Sequence, residues 1–277
     1  MAKIGLKNLV YKGPVNAGVV SQVNAADISI EVNDAPLYGD DVLCENDTSF
    51  KSGTITLGIN ELPDTIQAEF LGHAIAGGEM TASATDTAPY EGIGFYAKKT
   101  VLGVKSWRAI FFNRVQFKEP ADSQETKGES VSFKTASLEG KIMKDPTTEV
   151  WKNEKTFALE DDAKQWLNAK AGLPVTASGG LTALALTGTG GTLSPAFGAA
   201  IRSYVFNSLT GASFTVTATA ANHIMKLYVD GVYVQDLLSG TASAAQAMSI
   251  GTKKFTIIAQ EVGKQSQTTE IIVVKTA

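Results

Sequence analysis

The stretch Trp107-Arg-Ala-Ile-Phe-Phe-Asn-Arg-Val-Gln-Phe117 decides the fold class. Its odd positions carry Trp107, Ala109, Phe111, Asn113, Val115 and Phe117; its even positions carry Arg108, Ile110, Phe112, Arg114 and Gln116. Side chains alternate sides along a strand, so both faces are apolar at the centre and the strand is expected to be covered on both sides. Shorter segments keep the same period of two. Ile28, Ile30 and Val32 point one way with Ser29 and Glu31 opposite, and Ile55, Leu57 and Ile59 alternate with Thr54, Thr56 and Gly58, the pattern of half-buried strands. Phe95, Val131 and Phe133 mark further strands. The expected class is mainly β.

Two short helices flank these strands. Asp161 or Asp162 is placed to cap Ala163 to Ala171, where Ala163, Trp166 and Leu167 share a face. Lys170 suits the negative end of the dipole, and Gly172 with Pro174 stops the helix. The other begins near Pro63, a good first-turn residue, carries Ile66, Phe70 and Leu71, and ends around Gly72. Three polar stretches read as long loops: Tyr38–Ser52, Gly77–Gly92 and Lys118–Ser130. Loops of that length in a compact domain are functional, disordered, or ordered by a neighbouring subunit, which points to assembly.

The composition breaks near residue 175. Lys+Arg and Asp+Glu number 18 and 24 in residues 1–175, but 6 and 4 in residues 176–277, where Ala, Thr, Gly and Ser dominate. The expected organisation is a domain over residues 1–174, a linker over 175–180 and a second domain over 181–277. The second domain is again all-β. Lys226-Leu-Tyr-Val-Asp-Gly-Val-Tyr-Val-Gln235 is a hairpin signal, with Asp230-Gly231 supplying a type I′ turn. Phe214, Val216 and Ala218 alternate with threonines, and the runs Phe255–Ile258 and Ile271–Val274 complete strands at sandwich-like spacing.

The bulk numbers exclude several classes. The formal net charge is −4, so bulk attraction to nucleic acid or an anionic membrane is not expected. No apolar run approaches the ~20 residues of a membrane-spanning helix. Met1 to Val10 lacks a signal-peptide pattern, so synthesis and folding in a cytoplasm are expected. Cys44 is the only cysteine, which rules out an intrachain disulfide.

No catalytic, cofactor-binding or metal-binding residue is assigned, and the chain reads as a non-enzyme. His73 and His223, the two histidines, fall in different domains, and each reads as a capping or surface residue. Gly92-Ile-Gly94 and Gly188-Thr-Gly-Gly191 read as turns or strand entries, because neither opens a helix as a phosphate loop must. Asp40-Asp41 reads as a solvated loop and Asp161-Asp162 as a helix cap rather than calcium ligands. Asn46-Asp-Thr48 matches a glycosylation acceptor, which has no meaning without secretion. Cys44 beside Asp40 and Asp41 has no local base, so a nucleophile there is not expected.

Across the first ~170 residues the motifs, in order, resemble the major tail protein, or tail tube protein, of long-tailed non-contractile phages. They are Ile4-Gly-Leu-Lys-Asn-Leu9, Leu37-Tyr-Gly-Asp-Asp41, Gly53-Thr-Ile-Thr-Leu-Gly58, Ala88-Pro-Tyr-Glu-Gly-Ile-Gly-Phe95, Thr126-Lys-Gly-Glu-Ser130 and Trp151-Lys152. Residues 181–277, with Leu193-Ser-Pro-Ala-Phe197 followed by Tyr204, resemble an immunoglobulin-like or cadherin-like β-sandwich. The resemblance implies a tail-tube β-sandwich or barrel with flanking helices, assembling as hexameric rings stacked into a tube. It implies a virion location after assembly in the host bacterial cytoplasm. The implied partners are further copies of the chain, the tape-measure protein, tail-tip or initiator and tail terminator proteins, and viral DNA passing the lumen without specific binding. Some of Asp40, Asp41, Glu45, Asp86, Glu91, Asp122 and Glu125 are then expected to line the lumen or ring interfaces. The second domain would decorate the outside, with weak contact to host-surface carbohydrate.

Two alternatives stand beside this reading. One is the tube of a contractile injection or secretion device. The other is a carbohydrate-binding or adhesion protein working through the second domain, where Tyr204, Tyr228 and Tyr233 are the available aromatics and cross-strand packing of Tyr228 on Tyr233 is the competing role.

Overall fold

The protein, here a computed structural model, is described over residues 3–39, 42–101, 103–121 and 136–276. Val131 and Phe133 lie outside these residues. Strands dominate, with two helices, and the chain divides into two compact units, Met1–Pro174 and Val175–Ala277.

The first unit runs β1 (Lys3–Lys12), β2 (Ala17–Val20), β3 (Val23–Val32), β4 (Ala35–Gly39), β5 (Val42–Asp47), β6 (Phe50–Ile59), α1 (Asp64–Leu71), β7 (Ala74–Ala76), β8 (Glu79–Thr81), β9 (Glu91–Val101), β10 (Val104–Phe117), β11 (Ala136–Ile142), β12 (Lys152–Phe157) and α2 (Glu160–Ala171). Its main sheet has the order β2-β1-β9-β10-β11-β6-β3, with β12 also pairing β10. All of these pairings are antiparallel.

Strand β10 is covered on both sides. Ala109 and Phe111 pack with Val10, Tyr96 and the Ala163, Leu167 and Ala171 stripe of α2, while Ile110 and Phe112 face the larger core with Ile55, Leu57, Phe70 and Leu138. An irregularity between Phe112 and Val115 shifts the alternation. Val115 and Phe117 therefore join Phe112 in the larger core, although their odd numbers would put them beneath α2. Gly94 lets α2 lie close, since a Cβ there would come within 2.5 Å of Phe111 and 2.8 Å of Leu167.

Helix α2 starts earlier than expected. Leu159 is its N-cap, without a side-chain cap bond, and Asp161 and Asp162 fall in the first turn with Glu160. These acids still meet the positive end of the dipole. Glu160 also accepts hydrogen bonds from Lys7 and the Tyr96 hydroxyl, both at 2.9 Å, which fastens the helix start to β1 and β9. The stop is as read from sequence, with Gly172 left-handed at φ 77°. Pro63 sits one residue outside α1 as its extended N-cap, and Gly72 ends the helix at φ 77°.

Two expected loops are partly strands. Within Tyr38–Ser52, β4 and β5 pair as a hairpin and β6 begins at Phe50; within Gly77–Gly92, β8 pairs back onto β7 and β9 begins at Glu91. Of Lys118–Ser130, residues 122–130 lie outside the described residues.

The second unit runs β13 (Ala183–Thr187), β14 (Thr192–Ser194), β15 (Ser203–Leu209), β16 (Ser213–Thr219), β17 (His223–Val229), β18 (Val232–Leu237), β19 (Gln246–Ala247), β20 (Gly251–Glu261) and β21 (Gln267–Lys275). One sheet has the order β13-β16-β19, the other β14-β15-β21-β20-β17-β18, mixed because β15 runs parallel to β21. Both contribute to one core, with Phe214 and Val216 from the first and Phe206, Leu227, Phe255 and Ile271 from the second. The β17–β18 turn has Asp230 at φ 47° and Gly231 at φ 82°, the two positive angles of a type I′ turn. Within the stretch read as a linker, Thr176 and Ser178 exchange backbone hydrogen bonds with Gln265, so this part is tied into the second unit.

Candidate functional site

Three places concentrate what the first unit offers: an open sheet edge, a histidine between two carboxylates, and a buried acid.

The edge is β3, which ends the strand order and pairs only with β6 among the described residues. Its alternation predicts a half-buried strand, yet Ile28, Ile30 and Val32 are 37%, 37% and 50% exposed. The apolar row is real, but the chain's own core does not cover it. A groove of about 260 Å³ lies along the first half of the strand, between Gly5 and Leu6 of β1 and Asn24 to Ile28. Beyond it the β4–β5 hairpin continues the surface with exposed Leu37, Tyr38 and Val42. Unpaired strand edges template pairing with another chain.

His73 follows the left-handed Gly72, its amide bonded to the Ala68 carbonyl at the helix end. The capping part of the expectation therefore holds for the backbone, but the ring is nearly buried rather than a surface group. Nδ1 lies 2.8 Å from Asp86 Oδ2 and Nε2 lies 3.0 Å from Glu119 Oε2. Two carboxylates are satisfied together only when both ring nitrogens carry protons. The hydrogen bond to Asp86 accordingly raises the His73 pKa, with Glu119 adding to it. Asp86 is held low, chiefly by accepting the Ser83 amide. His73 thus ties the end of α1 to the loop before β9 and to the chain after β10, most firmly when its ring is protonated.

A raised folded pKa gives stability that is fully present below the unfolded histidine value, near 6.5, and is lost as pH rises through the folded value. His73→Gln is therefore expected to lower stability by about 1 kcal/mol near pH 6 and by less near pH 8, the size limited by solvent at Glu119. Urea midpoints at the two pH values check this; equal losses at both would contradict it.

Glu91 opens β9. It belongs to the set of acids of which some are expected at the lumen or ring interfaces, but its side chain is fully buried and neither carboxyl oxygen has a hydrogen-bond partner. Burial pushes its pKa up to about 8, with Glu69 of α1 adding to the rise. The carboxyls of Glu69 and Glu91 converge over Gly13 in the β1–β2 turn, where a Cβ would stand 2.6 Å from Glu69 Oε1 and 2.9 Å from both Glu91 oxygens. Asn16 donates to Glu69 Oε2 at 2.7 Å, and Tyr11 lies beside the pair, its pKa raised by burial first and by both acids. Sequence carried one signal for this burial: Glu91 shares strand parity with Ile93 and Phe95, which face the larger core.

Glu45 lies exposed on β5, Asp86 is engaged by His73, and Asp40, Asp41, Asp122 and Glu125 lie outside the described residues. The motif Thr126–Ser130 lies outside them too. Cys44 is exposed, with its thiol 3.6 Å from the Val42 carbonyl, and Asn46 donates to Asp34. In the second unit, the His223 ring is nearly buried, with Nδ1 2.6 Å from the Ala221 carbonyl. Tyr204 is buried, its hydroxyl bonded to the Gly198 and Ile201 carbonyls, so it offers no sugar-stacking face. Tyr228 and Tyr233 pack edge-to-face at 5.7 Å.

Compared with profiles of known protein families and with curated protein sequences, the chain matches none.

Proposed function

We propose that the chain is a structural virion protein whose first unit self-assembles as stacked hexameric rings into the tail tube of a long-tailed, non-contractile phage. The observation that carries this reading is the β3 edge: a strand with an unpaired side and an exposed row of Ile28, Ile30 and Val32, continued by the apolar β4–β5 hairpin. A monomer gains nothing from exposing such a strand, whereas a closed ring satisfies every edge at once. The order of tube-like motifs along the first unit supports the same reading. So does its sheet, in which the first half of β3 comes alongside β1 in a barrel-like curl.

On this reading the tube encloses the tape-measure protein and later passes DNA, with tail-tip and terminator proteins at its ends. The second unit is an immunoglobulin-like sandwich decorating the outside. Its sequence carries Lys+Arg and Asp+Glu at 6 and 4, near neutrality, while the acidic balance of the first unit lets DNA slide rather than stick. The chain works without a catalytic centre, and its location is the virion.

Negative-stain electron microscopy of the purified protein over a concentration series tests the proposal. Hollow tubes or rings with outer knobs are expected. A dispersed monomer at every concentration, also after addition of a tail-tip complex, would overturn it.

A further inference from the structure

Buried polar groups are hydrogen-bonded in folded proteins, and each exception calls for a partner. Among the described residues Glu91 is the one carboxylate with both oxygens buried and unpartnered. Its surroundings are not those of an ion pair: the charged group that acts on it is another acid, Glu69, which raises its pKa further. The two side chains come from different elements, β9 and α1, and meet over a residue that has no side chain, Gly13 of β1's turn. Three carboxyl oxygens lie within 2.9 Å of the point that a Gly13 Cβ would fill. Any larger residue at position 13 would press on both acids.

We propose that Glu69 and Glu91 hold a hard divalent cation of the Ca²⁺ class between β1, α1 and β9. The donor set is all oxygen, as such cations require, and softer metals find no sulfur or imidazole there. Among the described residues no group of three or more acidic, histidine or cysteine side chains is arranged to hold a metal ion, so the proposed site has two carboxylates and the rest of its shell is left to water and backbone oxygen. Asn16, on the exposed Gly13–Asn16 turn, fixes Glu69 Oε2 and leaves Oε1 directed at the Gly13 space. The ion enters from that side, since Glu69 is only half-buried and Asn16 is exposed. Bound there, it cross-links the β1–β2 turn to α1 and to the start of β9, and it cancels the repulsion between two acids that otherwise share one small space.

The experiment uses the full chain stripped of metal with a chelator at neutral pH. Ca²⁺ is titrated in by calorimetry, and Tb³⁺ luminescence, sensitised by Tyr11 beside the site, gives a second reading. One ion per chain is expected, with a dissociation constant on the order of 10⁻⁴–10⁻³ M, the weak end of the calcium range, because only two carboxylates supply charge. Glu91→Gln keeps the shape and is expected to weaken binding at least tenfold. Glu69→Gln, at a half-buried position, does the same with less effect on folding. Circular dichroism reports whether each variant is folded. Thermal melts with saturating Ca²⁺ should rise for the wild type and stay unchanged for both variants. The proposal is overturned if the wild type shows neither heat nor luminescence up to about 10 mM Ca²⁺, or if folded Glu91→Gln binds as tightly as the wild type. In the first case a proton on Glu91 is what relieves the pair.

Discussion

Phe70→Ala is expected to cost the first unit about 3–5 kcal/mol, a large part of the ~5–15 kcal/mol that holds a domain folded. Phe70 is fully buried between two rings from different strands, edge-to-face on Tyr11 of β1 at 5.3 Å and stacked on Phe117 of β10 at 4.8 Å. Helix α1 has only eight residues, too few to hold its shape by backbone bonds alone. Its attachment is the burial of Ala68, Phe70 and Leu71. Truncating the ring opens a cavity and also removes two aromatic contacts. The His73 tie and the placement of Glu69 both depend on that helix end.

The measurement has a built-in separation. Trp107, Trp151 and Trp166 all belong to the first unit, so tryptophan fluorescence follows its unfolding alone, while circular dichroism follows both units. Urea unfolding of Phe70→Ala should shift the fluorescence midpoint strongly to lower denaturant. The second unit's core contains no residue of the first, so that part of the ellipticity change should stay in place. A shift worth less than about 1 kcal/mol would mean that α1 is held by something other than Phe70.

Much of this architecture was legible in the sequence wherever one residue's chemistry fixed the backbone or one face was decisively apolar. Asp230-Gly231 dictated its turn, Gly172 and Gly72 ended the two helices, and the doubly apolar centre of β10 announced cover on both sides. What stayed hidden depended on tertiary pairing. Strand β12, Lys152-Asn-Glu-Lys-Thr-Phe157, is largely polar, and the β4–β5 hairpin sets its apolar residues side by side, as in Leu37-Tyr38, rather than at every second position; neither carries a clear alternation, and both are strands because their backbones find partners. The irregularity after Phe112 reverses which face Val115 takes, and no local residue type announces it. The Ile28, Ile30, Val32 row was read correctly as apolar and alternating, but sequence alone does not say whether the cover comes from the same chain. The same gap hid the acidic site. Glu91 and Glu69 are far apart in sequence, and only the fold brings them over Gly13.

Ile30→Lys combined with Val32→Lys is expected to abolish tube formation while leaving the fold intact. Both positions are more than one-third exposed on an edge strand, and substitutions at such sites change stability by only about 0.5 kcal/mol or so. In a ring the same side chains would pass from water into a subunit contact. Burying an aliphatic side chain fully contributes ~1.5–3 kcal/mol, and Ile30 and Val32 have 37% and 50% of their surface left to bury, so losing both removes about 1.3–2.6 kcal/mol per contact. That raises the concentration needed for assembly by about 10–100-fold. The lysines act beyond the lost area, because charge on an exposed edge is how monomeric sheet proteins prevent strand addition. Glu31, on the opposite face of β3 and bonded to Ser52, does not protect the apolar side in the wild type. Sedimentation with electron microscopy should show tubes for the wild type and only monomers for the double variant at equal concentration, with matching melts. A matched variant at Val232 and Val234, exposed on the β18 edge of the second unit, should still form tubes if that unit decorates rather than builds. Tubes from the β3 variant at wild-type concentration would move the ring contact away from this edge, whereas loss of tubes in the β18 variant alone would assign assembly to the second unit.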